Sequence, residues 1–204
     1  MAFLRSTRPE EDFETVRGRV VLLRQPMAGD YAEWAELRAR SRSHLTPWEP
    51  SWAADDLSRS MYRRRLRAYA KDVREDASYP YFIFDASSGT LLGGMTLSNV
   101  RRGSAQTASL GYWMGAPYAG HGYMREAVSA LLPVAFGTLR LHRIEAATMV
   151  NNAASIRVLE LCGFEREGLA RSYLKINGRW EDHLLYARVA GAPLSAVPRQ
   201  GGGT

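Results

Sequence analysis

Gly120-His121-Gly122-Tyr123-Met124 joins an apolar run at residues 110–115 to apolar residues at helical spacing within residues 124–135. The first pattern is typical of a strand and the second of a helix. Two glycines before a helix allow consecutive backbone N–H groups to converge on an anion, and the helix dipole strengthens that attraction. The segment therefore predicts a phosphate-binding turn, although a lone Gly-x-Gly also occurs in ordinary tight turns.

A second strand and a second helix follow this turn. Residues 143–150 have the pattern of a strand, and Asn151-Asn152-Ala153-Ala154-Ser155 precedes a helix that stops at Gly163. Asn152 is a suitable N-cap, and Gly163 is a suitable C-terminal glycine, with Phe164 packing back on the helix. We therefore expect this helix to be short and well delimited.

The two units together resemble a known family. Their order, with the spacing Asn-x-x-Ser-x-x-x-Leu-x-x-x-Gly-Phe in the second unit, resembles the acetyl-CoA site of the GNAT acetyltransferase superfamily. Within it the chain resembles the RimJ/RimL-type transferases, and the RimJ type most, at residues 44–50, 97–104, 110–112, 142–144 and 163–183. Those transferases acetylate the N-terminal amine of ribosomal proteins. The resemblance therefore implies this reaction, with alanine as the acceptor residue.

The resemblance also implies an α/β fold of the GNAT (acyl-CoA N-acyltransferase) type. Its sheet is mixed, mostly antiparallel and twisted, is flanked by helices, and is splayed between its fourth and fifth strands. A chain of 204 residues, 46% of them hydrophobic, fits one domain. We expect this domain at residues 19–189, a flexible arm at 1–18 and a flexible tail at 190–204. Local patterns predict a first strand at 19–23, a capping box at Asp30 and Glu33, and a hairpin turn at Asn177-Gly178.

Several classes of protein are not expected. The first 17 residues are charged and lack an apolar signal region, and no run approaches the ~18 apolar residues of a membrane span, so we expect a cytoplasmic protein. Cys162 is the only cysteine, which rules out an internal disulfide. Its place in the helix, one residue before the glycine stop, predicts a small buried side chain. The four histidines lack ligand spacing, so we expect no metal.

Positive charge is concentrated in residues 57–74. This segment carries seven Lys and Arg residues against Asp72 alone, a difference of six that equals the net charge of +6 for the whole chain. Its apolar residues recur at helical spacing, and Arg59, Arg63, Arg67 and Lys71 form a stripe. The stripe is either a solvated face or a contact for RNA (including the ribosome), an acidic protein surface or a CoA phosphate.

The resemblance places acetyl-CoA in a cleft between the strands at residues 110–115 and 143–150. The backbone N–H of Met114 is then the expected oxyanion donor, a contribution of about 3 kcal/mol. Pro117 departs from the family pattern, which usually has Gln or Arg at this position. The expected residues of the acetyl-CoA site are Trp113, Met114, Gly120, His121, Gly122, Tyr123, Met124, Asn152 and Ser155.

Ser155 is the candidate donor to the leaving thiolate. Leu159 stands where several acetyltransferases of this class have a tyrosine acid, and Ser155 matches the serine of the RimL-like motif. A serine hydroxyl is a very weak acid, so we interpret Ser155 as a hydrogen-bond donor, with a first-turn serine bonded to the backbone as the alternative. Asn152 orients the pantetheine or a water, or is only an N-cap.

Glu49 is the first candidate for the general base. The RimL and RimI glutamates fall on Leu174 and Ala147, so neither transfers. An α-amine has a pKa of about 7.7 to 8, against about 10.4 for lysine, so an N-terminal acceptor needs only a mild base or a water path. Glu49 alternatively binds the acceptor ammonium or is solvated; Asp182 and Glu145 are second choices.

Three functions remain open from the sequence. The first is acetylation of a protein N-terminus, with a ribosomal protein as the target. The second is acetylation of a small amine such as an antibiotic, polyamine or amino acid. The third is a ribosome- or RNA-binding factor with an incidental CoA site. The sequence is compatible with a monomer or a homodimer.

Overall fold

A computed structural model describes residues 15–192 of the chain. The strands are β1 (Val16–Arg17), β2 (Val21–Arg24), β3 (Tyr79–Asp85), β4 (Leu91–Arg101), β5 (Thr107–Met114), β6 (Arg143–Met149), β7 (Glu165–Ile176) and β8 (Arg179–Val189). The helices are α1 (Tyr31–Arg40), α2 (Arg42–Leu45), α3 (Arg59–Arg74), α4 (Tyr123–Pro133) and α5 (Ala153–Leu161).

The strands within residues 15–192 form one sheet in the order β1-β2-β3-β4-β5-β6-β8-β7. Neighbours are antiparallel except β5 and β6, which are parallel and pair only from Thr107–Arg143 to Ser109–Glu145. Beyond that point both strands continue without pairing with each other, so the sheet opens there. The predicted mixed sheet and its splay are confirmed; the splay follows the fifth strand because β1 precedes the strand that we expected to be the first.

The N-terminal boundary differs from the prediction. Val16 pairs with Leu23 of β2 and is only 6% exposed, so the sheet begins inside the segment predicted to be an arm. At the other end, the Ala190 N–H donates to the His142 carbonyl oxygen at 2.8 Å, so this residue of the predicted tail contacts the domain. Residues 1–14 and 193–204, the rest of the predicted arm and tail, lie outside the described residues.

Helices cover both faces of the sheet. α4 and α5 pack their apolar side chains, among them Val128 and Leu159, on one face. On the opposite face Trp34 of α1 and Tyr62 of α3 pack against Phe82 of β3. The open line between β5 and β6 is therefore flanked by α4 and α5 on one side and by α1 and α3 on the other.

Most local predictions are confirmed, but the capping box is wrong. The Asn152 side chain caps α5, and the hairpin turns at Asn177 and Gly178, whose φ angles are +43° and +85°. The Asp30 carboxylate instead accepts the Met27 N–H and pairs with Arg24, while Glu33 accepts the Leu91 N–H at 2.5 Å. Asp30 is therefore bound by residues that precede it in the chain, and Glu33 by a distant backbone N–H, instead of the bonds that the spacing predicted.

Candidate active site

The turn between β5 and α4 has the geometry of an anion-binding loop. Gly120 and Gly122 have φ angles of +79° and +84°, a left-handed conformation that glycine adopts without strain. Apart from chain neighbours, no described heavy atom lies within 4 Å of the place that a Cβ would take on either residue. α4 begins at Tyr123, and Gly122 supplies no side-chain cap for its first N–H groups. These donors are therefore free to bind an anion beside the turn.

Contacts from elsewhere hold this turn in place. The Ala116 N–H donates to Oγ of Ser41, which is fully buried at the end of α1, at 2.8 Å. His121 Nδ1 donates to the Ala119 carbonyl oxygen at 2.9 Å, and the ring is exposed beside the turn. Pro117, the departure from the family pattern, lies in the 3-10 turn that Ser41 anchors. The turn is thus held by α1, and its opening stays clear.

The Met114 N–H points into the gap between β5 and β6. Met114 faces Gly93 across the β4–β5 ladder, and the next N–H, that of Gly115, donates to the Leu92 carbonyl oxygen at 2.8 Å. Antiparallel ladders alternate bonded and non-bonded pairs, so the Met114 N–H is directed away from β4. On its open side the β5–β6 ladder has already ended. A backbone donor so placed suits an oxyanion formed in the gap.

Asn152, Ser155 and Tyr112 meet at the start of α5. Asn152 Oδ1 accepts the Ser155 N–H at 3.1 Å, which is the N-cap bond. The Ser155 hydroxyl lies 2.9 Å from the hydroxyl of Tyr112, a residue of β5 beyond the end of the parallel ladder. Burial raises the pKa of the Tyr112 phenol above its ordinary value, so the phenol stays protonated. Ser155 thus has a side-chain partner rather than only the backbone.

A cavity of about 460 Å³ opens on the α1 and α3 face of the sheet, over β4 and β5. Gly111 and Tyr112 of β5 form its inner wall, where the strand leaves β6. Its other walls are mainly aromatic and charged: Trp34, Arg38, Glu49, Trp52, Asp56, Arg65, Tyr69, Phe82 and Trp113. The cavity and α4, the helix that follows the anion-binding turn, therefore lie on opposite faces of the sheet.

Trp113 belongs to this cavity. Its indole lies across Gly94 of β4, where a Cβ would come within 2.6 Å of the indole nitrogen. The sequence placed Trp113 in the acetyl-CoA site, but the side chain lines the cavity on the other side of the sheet. The alternation of side chains along β5 explains this, because Tyr112 and Met114 face α4 and α5 while Trp113 faces α1.

Arg38 ties the wall of the cavity together. Its guanidinium lies 4.2 Å from the Trp52 ring centroid and 4.9 Å from that of Trp113. The same group donates two hydrogen bonds of 2.7 Å to the two carboxylate oxygens of Glu49. Arg38 is only 7% exposed, so this is a largely buried ion pair between two aromatic rings.

The Glu49 carboxylate is already held by hydrogen-bond donors. Besides Arg38, its carboxylate accepts the Trp52 indole N–H at 2.8 Å, and its backbone carbonyl accepts the Asn177 N–H at 2.9 Å. These contacts favour a structural role for Glu49, and they weigh against the general base that the sequence suggested. The hairpin turn of β7 and β8 thereby reaches over the loop that carries Glu49.

The second-choice bases also have partners. Asp182 accepts the Ser172 N–H at 2.8 Å, where β7 is irregular. Glu145 pairs with Arg143 at 2.9 Å and with Arg101 at 3.4 Å. Asp56 is different, because it lines the cavity and its ion pair with Arg65 is loose, at 3.6 Å.

Sequence reasoning did not identify Arg38 or Tyr112 as site residues. Arg38 sits beside Leu37 on the apolar face of α1, and an arginine on such a face signals a buried partner. Tyr112 belongs to the stretch 110–112 that resembles the family, but its hydroxyl partner on α5 is 43 residues away in the chain. Pairing over that distance leaves no local pattern.

The described residues show no alternative centre. Within residues 15–192, no three His, Cys, Asp or Glu side chains are placed to share a metal ion. No helix in that part of the chain is long and apolar enough to cross a membrane. Cys162 is a free thiol with 2% exposure, which confirms its prediction as a buried side chain.

Comparison with known proteins agrees with this geometry. Residues 20–165 match the family model of the acetyltransferase (GNAT) domain. The chain is 37% identical over 172 residues to the "Probable N-acetyltransferase YjcK" of Bacillus subtilis, covering 84% of this chain and 95% of YjcK. It is 35% identical over 153 residues to the ribosomal protein uS5-alanine N-acetyltransferase of Escherichia coli, covering 75% and 79% of the two chains.

A solved structure is also similar to this chain in sequence and fold. Mycobacterium smegmatis RimJ, in complex with CoA-disulfide, superposes with a TM-score of 0.83 at 33% identity, covering 87% of this chain and 88% of RimJ. The family match covers β2 to β6 and therefore the two strands that border the gap. The chain therefore belongs to the GNAT acetyltransferases, and its relatives include enzymes of the RimJ/RimL type.

Proposed function

We propose that this protein acetylates the N-terminal α-amine of a protein, with alanine as the first residue and a ribosomal protein as the target. The similarity that carries the proposal is the one to the uS5-alanine N-acetyltransferase, at 35% identity over three quarters of the chain. Acetyl-CoA is the donor, as the chemistry of the family requires. The cavity beside β5 supports the proposal, since it opens to the surface and accommodates the end of a chain.

The residues around the gap divide the work as follows. The amides of residues 120–124 bind the pyrophosphate of the donor, and its acetyl thioester supplies the acyl group. The Met114 N–H stabilises negative charge on the carbonyl oxygen as the amine attacks. The Ser155 hydroxyl donates a hydrogen bond to the sulfur that leaves. Side chains on both faces of the sheet exclude water from the acyl group while the amine approaches.

The acceptor amine needs only modest help to lose its proton. An α-amine with a pKa near 8 is partly neutral at cellular pH, so a water path can carry the proton away. Of the two carboxylates that line the cavity, Glu49 is occupied by Arg38 and Trp52, whereas Asp56 is only loosely paired. Asp56 is therefore our choice for the group that attracts the acceptor ammonium.

The test is acetyl-CoA turnover, followed by release of free thiol, with three peptides. One begins with alanine and has a blocked lysine, one has a blocked N-terminus and a free internal lysine, and one has both amines blocked. Turnover confined to the free alanine N-terminus is expected. Turnover of the lysine peptide alone would contradict the proposal, and turnover of neither would direct attention to small amines, which should then be screened.

The exposed face of α3 favours a second property, contact with ribosomal RNA. Arg59, Arg63, Arg67 and Lys71 are all exposed, as predicted, and Arg64 and Arg74 join them. At 100° per residue these six side chains fall within an arc of about 140°. In the described structure the carboxylate pairs of α3 involve only Arg65 and Lys71. Arginines without carboxylate partners suit RNA phosphates, which they bind in a bidentate manner.

RNA contact is tested with a labelled ribosomal RNA stem-loop at several salt concentrations. The double variant Arg63→Glu with Arg67→Glu should reduce the slope of log affinity against log salt by about two, one for each lost phosphate contact. Arg17→Glu with Arg166→Glu makes the same charge change at exposed sites outside α3 and should leave the slope close to that of the wild type. Equal binding of poly-glutamate would favour an acidic protein surface instead.

A further inference from the structure

Tyr112 reaches from the opened strand to the first turn of α5. Its hydroxyl lies 2.9 Å from Ser155 Oγ and 3.3 Å from the Ser155 carbonyl oxygen. Tyr112 lies beyond Ser109, the last residue of β5 that pairs with β6. The phenol and the serine hydroxyl therefore meet on the α5 side of the gap.

The direction of the hydrogen bond between these hydroxyls follows from their surroundings. The phenol stays protonated, because burial raises its pKa. Its O–H must therefore donate a hydrogen bond to a nearby acceptor. Both acceptors within reach belong to Ser155. The carbonyl oxygen is farther away and already serves the hydrogen bonding of α5, so Oγ is the better acceptor.

Accepting a hydrogen bond from Tyr112 changes what the Ser155 hydroxyl can do. Once Oγ accepts from Tyr112, the hydroxyl hydrogen of Ser155 cannot also point at the phenol and is left for another acceptor. The Ser155 N–H is held by Asn152, which fixes the backbone of this turn. The hydroxyl is then oriented by one partner and attached to a fixed backbone, with its own hydrogen free to turn toward the gap.

We propose that Tyr112 is a positioning residue that makes Ser155 a hydrogen-bond donor to the sulfur of CoA. Tyr112 stays protonated and transfers no proton. Its O–H donates to Ser155 Oγ, and the Ser155 O–H donates to the sulfur, on which negative charge develops when the thioester C–S bond breaks. The inference rests on the acetyl-CoA chemistry of the proposed function and is independent of which amine is the acceptor.

The decisive measurement is the pKa of the CoA thiol bound to the protein, followed by the ultraviolet absorbance of the thiolate. A donor to the thiolate should lower this pKa relative to that of free CoA. Tyr112→Phe and Ser155→Ala should each raise the pKa of the bound thiol by about one unit, the effect of losing one hydrogen bond to a charged group. The double variant should raise it no further, since both substitutions remove the same donor.

Tyr186→Phe is the matched control. Tyr186 is buried, and Tyr112 is partly buried. The Tyr186 hydroxyl donates to Glu160 at the other end of α5, so the same atom is removed away from Ser155. A bound-thiol pKa in Tyr112→Phe equal to that in Tyr186→Phe would overturn the inference. Effects of Tyr112→Phe and Ser155→Ala that simply add would also overturn it, because independent contributions are the opposite of positioning.

Kinetics supply a second readout where an acceptor is turned over. Tyr112→Phe should lower kcat by about tenfold and leave the KM for acetyl-CoA nearly unchanged, since the lost bond matters only as charge develops on sulfur. Thermal unfolding identifies any variant that fails to fold, in which case Ser155→Ala carries the titration. The titration needs only CoA, so it distinguishes failure of this inference from failure of the N-terminal acetylation proposal.

Discussion

Arg38 and Glu49 form a two-point ion pair, with both N–H···O distances at 2.7 Å, that joins α1 to the loop before α3. Trp52 contacts both partners, because its ring stacks on the guanidinium and its N–H donates to the carboxylate. Arg38 therefore connects α1 to both residues of the loop that forms the outer wall of the cavity. Its removal should separate acceptor binding from donor binding.

Arg38→Met should destabilise the protein by about 3 kcal/mol, because it leaves the Glu49 carboxylate without its buried partner. It should also raise the KM for the acceptor several-fold while the KM for acetyl-CoA changes little. Thermal or urea unfolding and steady-state kinetics measure the two effects. Arg40→Met is the control, since its pair with Glu36 is exposed and should contribute less than about 0.5 kcal/mol. Equal effects of both variants would contradict the role of Arg38.

Gly122→Ala should weaken binding of CoA. An alanine at φ of +84° is strained by about 1 to 2 kcal/mol, and relief of that strain rotates the N–H groups at the start of α4. We expect the dissociation constant for CoA, measured by calorimetry, to rise about tenfold. Gly29→Ala is the matched control, because Gly29 has no positive φ and open space around its Cβ position. Unchanged CoA affinity in Gly122→Ala would argue that the turn does not hold the pyrophosphate.

Substitution of Asn152 separates its capping role from donor binding. Asn152→Ala should cost about 1 kcal/mol of unfolding free energy, because the Ser155 N–H loses its acceptor. Asn152→Asp keeps a capping oxygen and should restore stability. If the amide also orients the pantetheine, the KM for acetyl-CoA stays raised in the stable Asp variant. A KM that returns together with stability would leave Asn152 with the cap alone.

Cys162 should be unreactive in the native protein. Burial raises the pKa of its thiol, and the Sγ lies 3.5 Å from the Arg125 carbonyl oxygen, to which it donates. A disulfide reagent at pH 8 should modify no thiol in the folded protein and one per chain in denaturant. Thiol-release assays should therefore count only CoA. Rapid modification of the folded protein would contradict the burial.

The same thiol predicts a pH dependence of stability. The folded state favours the neutral thiol, because burial raises its pKa. The thiol's contribution to the free energy of unfolding is therefore complete below the unfolded pKa of about 8.5. This contribution is lost as pH rises through the higher pKa of the folded state. The wild type should therefore lose stability relative to Cys162→Ala between pH 7 and alkaline pH. A constant difference between the two unfolding free energies across that range would show that Cys162 does not ionise in this way.

The parts of the molecule that sequence predicted are those with local determinants. The turn at Gly120 and Gly122, the cap at Asn152 and the hairpin at Asn177-Gly178 each depend on residues within a few positions of one another. Their backbone conformations restrict the residue types strongly enough to leave a readable pattern.

The parts that were missed depend on distant pairing. Arg38 meets Glu49, Trp52 and Trp113 only after α1, a loop and β5 have come together, and no spacing rule links those positions. Most of the residues of β7 are exposed, so it lacks the alternation that marks a strand, and its first half was not predicted. Asp30 and Glu33 fit a capping box by spacing, but Glu33 binds the distant Leu91 N–H, and Asp30 binds residues that precede the helix.

The short parallel ladder between β5 and β6 divides the sheet into two antiparallel halves. Main-chain hydrogen bonds across that seam are few, and amides near it have the least protection from opening of the sheet. A molecule bound in the seam contacts both halves of the sheet and holds them together. Occupancy of the donor site should therefore slow hydrogen–deuterium exchange along the inner edges of β5 and β6. The two halves of the sheet then open together only when the site is occupied.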